Sequence, residues 1–430
     1  MRLLSAALCV CSALAQPPDF RGSYSVPLTE GALRYADPLK DDPITRLQAR
    51  IDSGETRLEW DAKFGYLPSL LKALGVPASS QALVFSKTSF QLSRISPSAP
   101  RAIYFNDSVY LGYVHGGEVM EMSSVDPERG GMFFTVVQKK TAKPRLERGD
   151  SCLQCHASPN TTGIPGHLVR SVYADAEGYP LMTTGSFVTD HRSPFAERWG
   201  GWFVTGTHGR MRHMGNVQVA DRDKPERLDR ESGANLLSLE KRFDVNRYLT
   251  PHSDIVALMV LEHQTKMHNL FTRAGFEVRS ALILQAEMNK ALGKPEGEMS
   301  DSTRRRIDNS AEILVRYILF ADEFKLESPV KGTSTFASDF PALGPKDAKG
   351  RSLRDFDLQT RLFRYPCSYL IYSEAFAALP EPLKQRVRAR IGEVLSGKDQ
   401  GAAFAPLSAE DRRAIREILD ATQAAPASAR

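Results

Sequence analysis

Residues 101–138 read RAIYFNDSVYLGYVHGGEVMEMSSVDPERGGMFFTVVQ. Four runs within it, RAIYFN, VYLGYV, EVMEMSSV and GMFFTVVQ, are rich in aromatic and β-branched residues, which fit a pleated, half-buried surface. Between them stand Asn106-Asp107, Gly116-Gly117 and Pro127-Glu128-Arg129-Gly130, residue types that turn a chain sharply. Strand-like runs joined by tight turns predict an antiparallel meander. Further along, LVRSVYA (168–174) and YPLMTTGSFVT (179–189) predict two strands flanking Asp175-Ala176-Glu177-Gly178, and WGGWFVTG (199–206) another.

On either side the texture changes. The periodic pieces ITRLQARI (44–51) and LPSLLKALG (67–75) predict helix over 43–75. Beyond a polar, charged stretch at 217–236 the apolar spacing predicts helices at 252–275, 276–292, 303–325, 353–378, 381–396 and 408–422. The expectation is an α+β chain. Its parts are an extended arm rich in Pro, Gly and Ser (16–42), a β-rich domain (43–216), a linker (217–236) and an α-helical domain (237–425).

The whole chain sets the bounds. At 430 residues it exceeds a single ordinary core. Hydrophobic residues are 42% and charged residues 25%, an ordinary globular balance. A net charge of +5 is too weak and dispersed for a nucleic-acid track, so Lys139-Lys140 and Arg304-Arg305-Arg306 read as solvated surface. The N-terminus, MRLLSAALCVCSALAQ, has a charge at Arg2, an apolar run and Ala13-Leu14-Ala15. This is the pattern of a Sec signal peptide over 1–15 with cleavage before Gln16, and it predicts export to a bacterial periplasm or beyond. The run is too short to anchor in a bilayer, and no later segment is long and apolar enough to span one. Of five cysteines, Cys9 and Cys11 leave with the leader, and three over the remaining chain make no disulfide framework.

Two of those three stand in GDSCLQCHASPN (149–160). C-x-x-C-H arises by chance in about one chain in a thousand at this cysteine and histidine content. Three chemistries use such a pattern. A structural zinc site needs a second pair of ligands, for which His208 and His213 are the available histidines. A redox dithiol belongs at the start of a helix in a βαβ context, whereas this motif lies between strand-like runs. Haem attachment uses each thiol to form a thioether and the adjacent histidine to reach the iron.

By Cys152, Cys155 and His156 the chain resembles the c-type cytochromes. The resemblance covers these few residues and not the small helical class, whose motif opens a compact helical domain. It implies one covalent haem c on Cys152 and Cys155, with His156 as proximal ligand of the iron. In architecture, a sheet bearing such a loop resembles haem-bearing PAS-like sensor domains.

What such a haem does depends on its sixth position. GTHGRMRHMGN (206–216) gathers His208, Met211, His213 and Met214, both common ligand types, on a glycine-flanked loop. His263 is a rival, on an apolar helical stripe with Val256, Val260, Met267 and Leu270, and His268 lies on a neighbouring face. His167, Met182 and His191 are further candidates. For the anionic propionates the guanidinium candidates are Arg192, Arg198, Arg210 and Arg212. Trp199, Trp202 and Phe203 offer aromatic area. Cys367, in LFRYPCSYLIY, reads as a buried inert thiol. Nucleotide, hydrolase and zincin signatures are missing. The expected function is electron transfer with a periplasmic redox partner protein. The alternatives are a peroxidase- or oxidase-type haem enzyme with an open distal site, and a haem-based redox or gas sensor.

Overall fold

The computed structural model describes residues 20, 26–39 and 41–422. The leader expected at 1–15 lies outside the described residues. Six strands, β1 (Ala82–Val84), β2 (Arg101–Phe105), β3 (Val109–Tyr113), β4 (Val119–Asp126), β5 (Gly130–Val137) and β6 (Leu146–Arg148), form one antiparallel sheet in chain order. The meander read from residues 101–138 is thus β2 to β5. Alternation sorts its side chains between two faces. On one face, Tyr104, Leu111, Met122 and Phe134 pack on α1 (Pro43–Ser53) and α2 (Leu67–Ala73) through Ile44, Leu47, Leu67 and Leu70. The cap of α1 joins the sheet: Asp42 Oδ1 accepts from the Ile44 and Thr45 amides at 2.9 Å, and its other oxygen accepts from the Ser124 hydroxyl. Gly54, at φ 83°, closes that helix, so the helical reading over 43–75 divides in two.

The other face carries two cross-strand rows. One is Phe105–Tyr110–Ser123–Phe133 and the next is Ile103–Gly112–Glu121–Thr135. Phe105, Tyr110 and Val125 from this face share a core with α4 (Ile255–Leu292) and α5 (Asp301–Ile318). After the sheet comes the single turn α3 (Leu153–His156), then a hairpin of β7 (Val169–Val172) and β8 (Ser186–Thr189). The helical half adds α6 (Phe336–Ala342), α7 (Glu374–Ala377), α8 (Glu381–Leu395) and α9 (Ala409–Thr422). The fold is α+β, with the sheet in the N-terminal half and helices after it.

The central element is α4. Asp254 caps its start, with Oδ1 accepting from Val256 N at 2.8 Å, and Gly293 at φ 64° ends it. The residues expected to form two helices, 252–275 and 276–292, run as one, because neither a capping residue nor a proline divides them at Gly275-Phe276. Every residue from Ile255 to Phe276 is buried, including Glu262, His263, Gln264, His268 and Asn269. An all-round buried helix with polar residues must find partners for them elsewhere in the chain.

Two other expectations change. The helix read over 303–325 stops at Ile318, and the chain turns through left-handed Phe320 (φ 55°) and Asp322 (φ 66°). Residues 353–378 form no long helix. Asp357 Oδ1 accepts from the Gln359 and Thr360 amides, at 2.8 and 2.6 Å, and Leu358 sits at φ 56°. The Phe356 and Phe363 rings stack at 5.5 Å across this turn, and Pro366 lacks the amide a helix needs. WGGWFVTG pairs with β1 only locally: Phe203 N donates to Leu83 O, and Phe85 N to Gly201 O, both at 2.8 Å. Among the described residues no helix is long and apolar enough to cross a membrane.

Candidate functional site

Cys152 opens α3, and the His156 amide donates to the Cys152 carbonyl at 3.0 Å. One turn therefore carries both thiols and the imidazole. Neither thiol is in a disulfide; Cys152 is half-buried and Cys155 exposed. Leu153, between them, packs against the core beneath the sheet. The chain then doubles back through Thr162 (φ 61°) and Gly163 (φ 77°), and Gly166 N donates to His156 O at 2.8 Å.

This return loop fixes the imidazole. His156 Nδ1 lies 2.8 Å from Gly166 O. A carbonyl only accepts, so Nδ1 carries the proton and Nε2 holds the lone pair. Among the described residues no hydrogen bond engages Nε2. Burial holds this imidazole below its ordinary pKa, against the Gly166 hydrogen bond, and so favours the neutral, ligating form. A ligating histidine typically has this arrangement, with its second nitrogen tied to a carbonyl.

The loop is in turn held by α4. Asn269 grips the His167 backbone on both sides, and Arg273 Nη1 donates to Thr162 O at 3.0 Å. The sheet supplies the floor. Phe133 meets the His156 ring at 4.7 Å, and His167 bonds the Ser123 hydroxyl at 2.8 Å while stacking on Tyr110 at 4.3 Å.

Sequence reasoning missed one pair beside the motif. Arg101 and Glu121 form an ion pair on the sheet face, and both act electrostatically on Cys152 and His156. Glu121 also accepts from Ser89 Oγ at 2.8 Å and Gln91 Nε2 at 3.3 Å. Burial, with the Glu121 charge adding to it, raises the Cys152 thiol above its ordinary pKa. The signal was available: Arg101 and Glu121 occupy the same alternating register as buried Phe105 and Val125, where charge is out of place.

Of the other candidates His167 adjoins the motif, and the rest make their contacts elsewhere. The rings in contact with His156 are Phe133 and His167. His208 and His213 meet each other at 4.7 Å beside Phe195. His208 Nδ1 bonds Met211 O and its Nε2 accepts from Asn235 N, while His213 Nδ1 accepts from Gly215 N. Met214 accepts a hydrogen bond from Ser171 Oγ at 3.7 Å. His263 joins His191 through their Nδ1 atoms at 2.8 Å and Ser368 Oγ through Nε2 at 2.8 Å. His268 Nε2 bonds Asp107 O. Met182 is 66% exposed on the loop before β8.

The guanidinium candidates face carboxylates. Arg192 pairs with Asp190 at 2.8 Å, Arg198 with Glu262 at 3.1 Å in full burial, Arg212 with Glu231 at 2.7 Å, and Arg210 with Glu327 at 3.6 Å. Trp199, Trp202 and Phe203 are buried in protein. Cys367 is buried too, its thiol pushed up to about 12 by desolvation. Among the described residues no three or more His, Cys, Asp or Glu side chains converge as a metal site. Compared with known protein-family models, with curated proteins and with solved structures, the chain matches none.

Proposed function

We propose that this protein is an exported monohaem c-type cytochrome, holding one haem c through Cys152 and Cys155 with His156 as the proximal iron ligand. In this reading it transfers electrons to or from a periplasmic redox partner protein. One observation carries the reading: a single turn bears two thiols outside any disulfide beside an imidazole whose Nδ1 is tied to Gly166 O while Nε2 has no partner among the described residues. The haem, when bound, supplies a one-electron iron couple. The chain supplies the proximal nitrogen, keeps it neutral by burial, and orients it through Gly166 and Asn269.

Thiol exchange is the poorer reading, because an attacking cysteine needs a depressed pKa and that of Cys152 is raised. A second haem reading, an enzyme or gas sensor with an open distal position, draws on one observation. His208 and His263 each commit both ring nitrogens to hydrogen bonds, so neither has a lone pair to spare for iron.

The test is to express the full chain with its leader alongside the haem c maturation machinery. Intact mass and the visible spectrum are then recorded. One covalent haem and a Soret band are expected, and their absence overturns the haem reading. Carbon monoxide then separates the functions: a ferrous spectrum unchanged by it supports electron transfer, and a shifted one supports the open site.

A further inference from the structure

We propose that the row Ile103–Gly112–Glu121–Thr135 is the bed of the haem, and that Arg101 is the residue that pairs with its propionates. This rests on the haem reading above and deepens it.

The sheet face that carries the motif is covered unevenly. The row Phe105–Tyr110–Ser123–Phe133 is occupied by His167 and by the His156 ring. At the far end, Gly130 abuts Thr272 of α4. The row on the other side of His156 is covered less: Ile103, which packs against the core, Glu121 and Thr135 are each only half-buried, and Gly112 lies under Arg101. Gly112 leaves this row flat, since a Cβ there would collide with the Arg101 guanidinium that lies across it. A flat, partly apolar strip one register step from the proximal histidine suits a planar apolar macrocycle.

Arg101 supplies the charge. Its guanidinium bonds Glu121, yet among the described residues its buried Nε–H has no acceptor. Buried donors are stabilised by an acceptor, so Arg101 has capacity for one beyond Glu121. A carboxylate that takes the guanidinium fork fits it. Like Arg101, each of the four arginines expected from sequence faces a carboxylate; Arg101 is the one whose charge acts on Cys152 and His156. The loop above the strip points the same way. Ser89 and Gln91 anchor it to Glu121, and between them Phe90 is 60% exposed, a large apolar ring with nothing yet to cover it.

The test compares haem-loaded protein with the haem-free Cys152→Ala/Cys155→Ala variant by amide hydrogen exchange. The same experiment follows the midpoint potentials of Arg101→Gln, Arg101→Lys and Arg212→Gln in haem-loaded form. Expected is exchange at 87–94 slowed at least about tenfold by haem. The midpoint potential should fall in Arg101→Gln, recover in part in Arg101→Lys and stay unchanged in Arg212→Gln. Because the haem is covalent, a variant that keeps its Soret band has kept the cofactor, and the potential then reports its surroundings. Haem-dependent protection at 192–212 in place of 87–94, or an Arg101→Gln potential equal to wild type, overturns the proposal while leaving the haem reading intact. A wild-type protein without covalent haem overturns both.

Discussion

Asn269, midway along the buried helix α4, holds His167 by both sides of its backbone. Its Oδ1 accepts from the His167 amide at 3.1 Å, and its Nδ2 donates to the His167 carbonyl at 2.7 Å. All four groups are buried, so Asn269→Ala leaves two backbone groups unsatisfied. The expected loss is about 2–4 kcal/mol, read as a lower midpoint in urea unfolding. Asn269→Asp keeps the acceptor, and its loss should be smaller at low pH, where the carboxyl regains a donor. An Asn269→Ala midpoint within error of wild type would mean that the grip contributes nothing to stability.

Gly166 is the next link, between that grip and the imidazole. Its carbonyl orients His156, and a Cβ at this position would strike the Asn269 carboxamide and crowd Ile164. Gly166→Ala therefore forces the loop off α4, at about 1–3 kcal/mol. With His156 as the proposed proximal ligand, the same variant in haem-loaded protein should weaken that ligation, seen as a rise in the high-spin signal of the ferric spectrum. Unaltered stability together with an unaltered spectrum would contradict this account of the loop.

The meander and the motif were legible for the same reason: both are local. Turn residues at fixed offsets and a period of two suffice for β2 to β5, and C-x-x-C-H is complete within five residues. What was not legible is long-range. His263 reads as an odd polar residue on an apolar stripe, because His191 and Ser368, 72 and 105 residues away, satisfy it only in three dimensions. The stretch 353–378 has enough apolar residues for a helix. Asp357 instead captures the following amides in a turn, and stacked rings bury the apolar surface without regular structure. Arg101 and Glu121 gain meaning only once β2 and β4 lie in one sheet with the motif above them.

Buried ionisable groups make stability depend on pH, with opposing signs. Burial lowers His263 to about 3 and His268 to about 4, so at mildly acidic pH the unfolded chain binds protons that the fold excludes. Their contribution is complete above the unfolded value of about 6.5 and is lost as pH falls toward 4 for His268 and toward 3 for His263. Glu262 behaves oppositely: burial raises it to about 7, with Arg198 opposing, so its contribution is complete below the unfolded value of about 4.3 and is lost as pH rises through 7. Burial also raises Glu323 to about 7 and lowers His167, His191 and His213, so between about pH 4.5 and 6.5 the histidines outweigh the two acids and stability should rise with pH. Glu262→Gln removes one of the two counterweights and should steepen that slope, whatever its effect on absolute stability. Urea melts at half-unit intervals test this, and a slope that flattens in Glu262→Gln would show the sign to be wrong.

The thiols of Cys152, Cys155 and Cys367 should differ sharply in reactivity. In haem-free protein beginning at Gln16, Cys155 is exposed, Cys152 is half-buried with a raised pKa, and Cys367 is fully buried with its thiol pushed up to about 12. The thiolate is the reactive form, so alkylation at pH 8 should take Cys155 first and Cys152 more slowly, with Cys367 modified only after unfolding. Mass spectrometry of timed quenches gives the order directly. Haem attached as proposed would consume both motif thiols, so the native haem-loaded protein should take up no reagent, and the unfolded one a single equivalent at Cys367. A native haem-loaded protein that still alkylates at Cys152 or Cys155 would place the cofactor on one thioether rather than two.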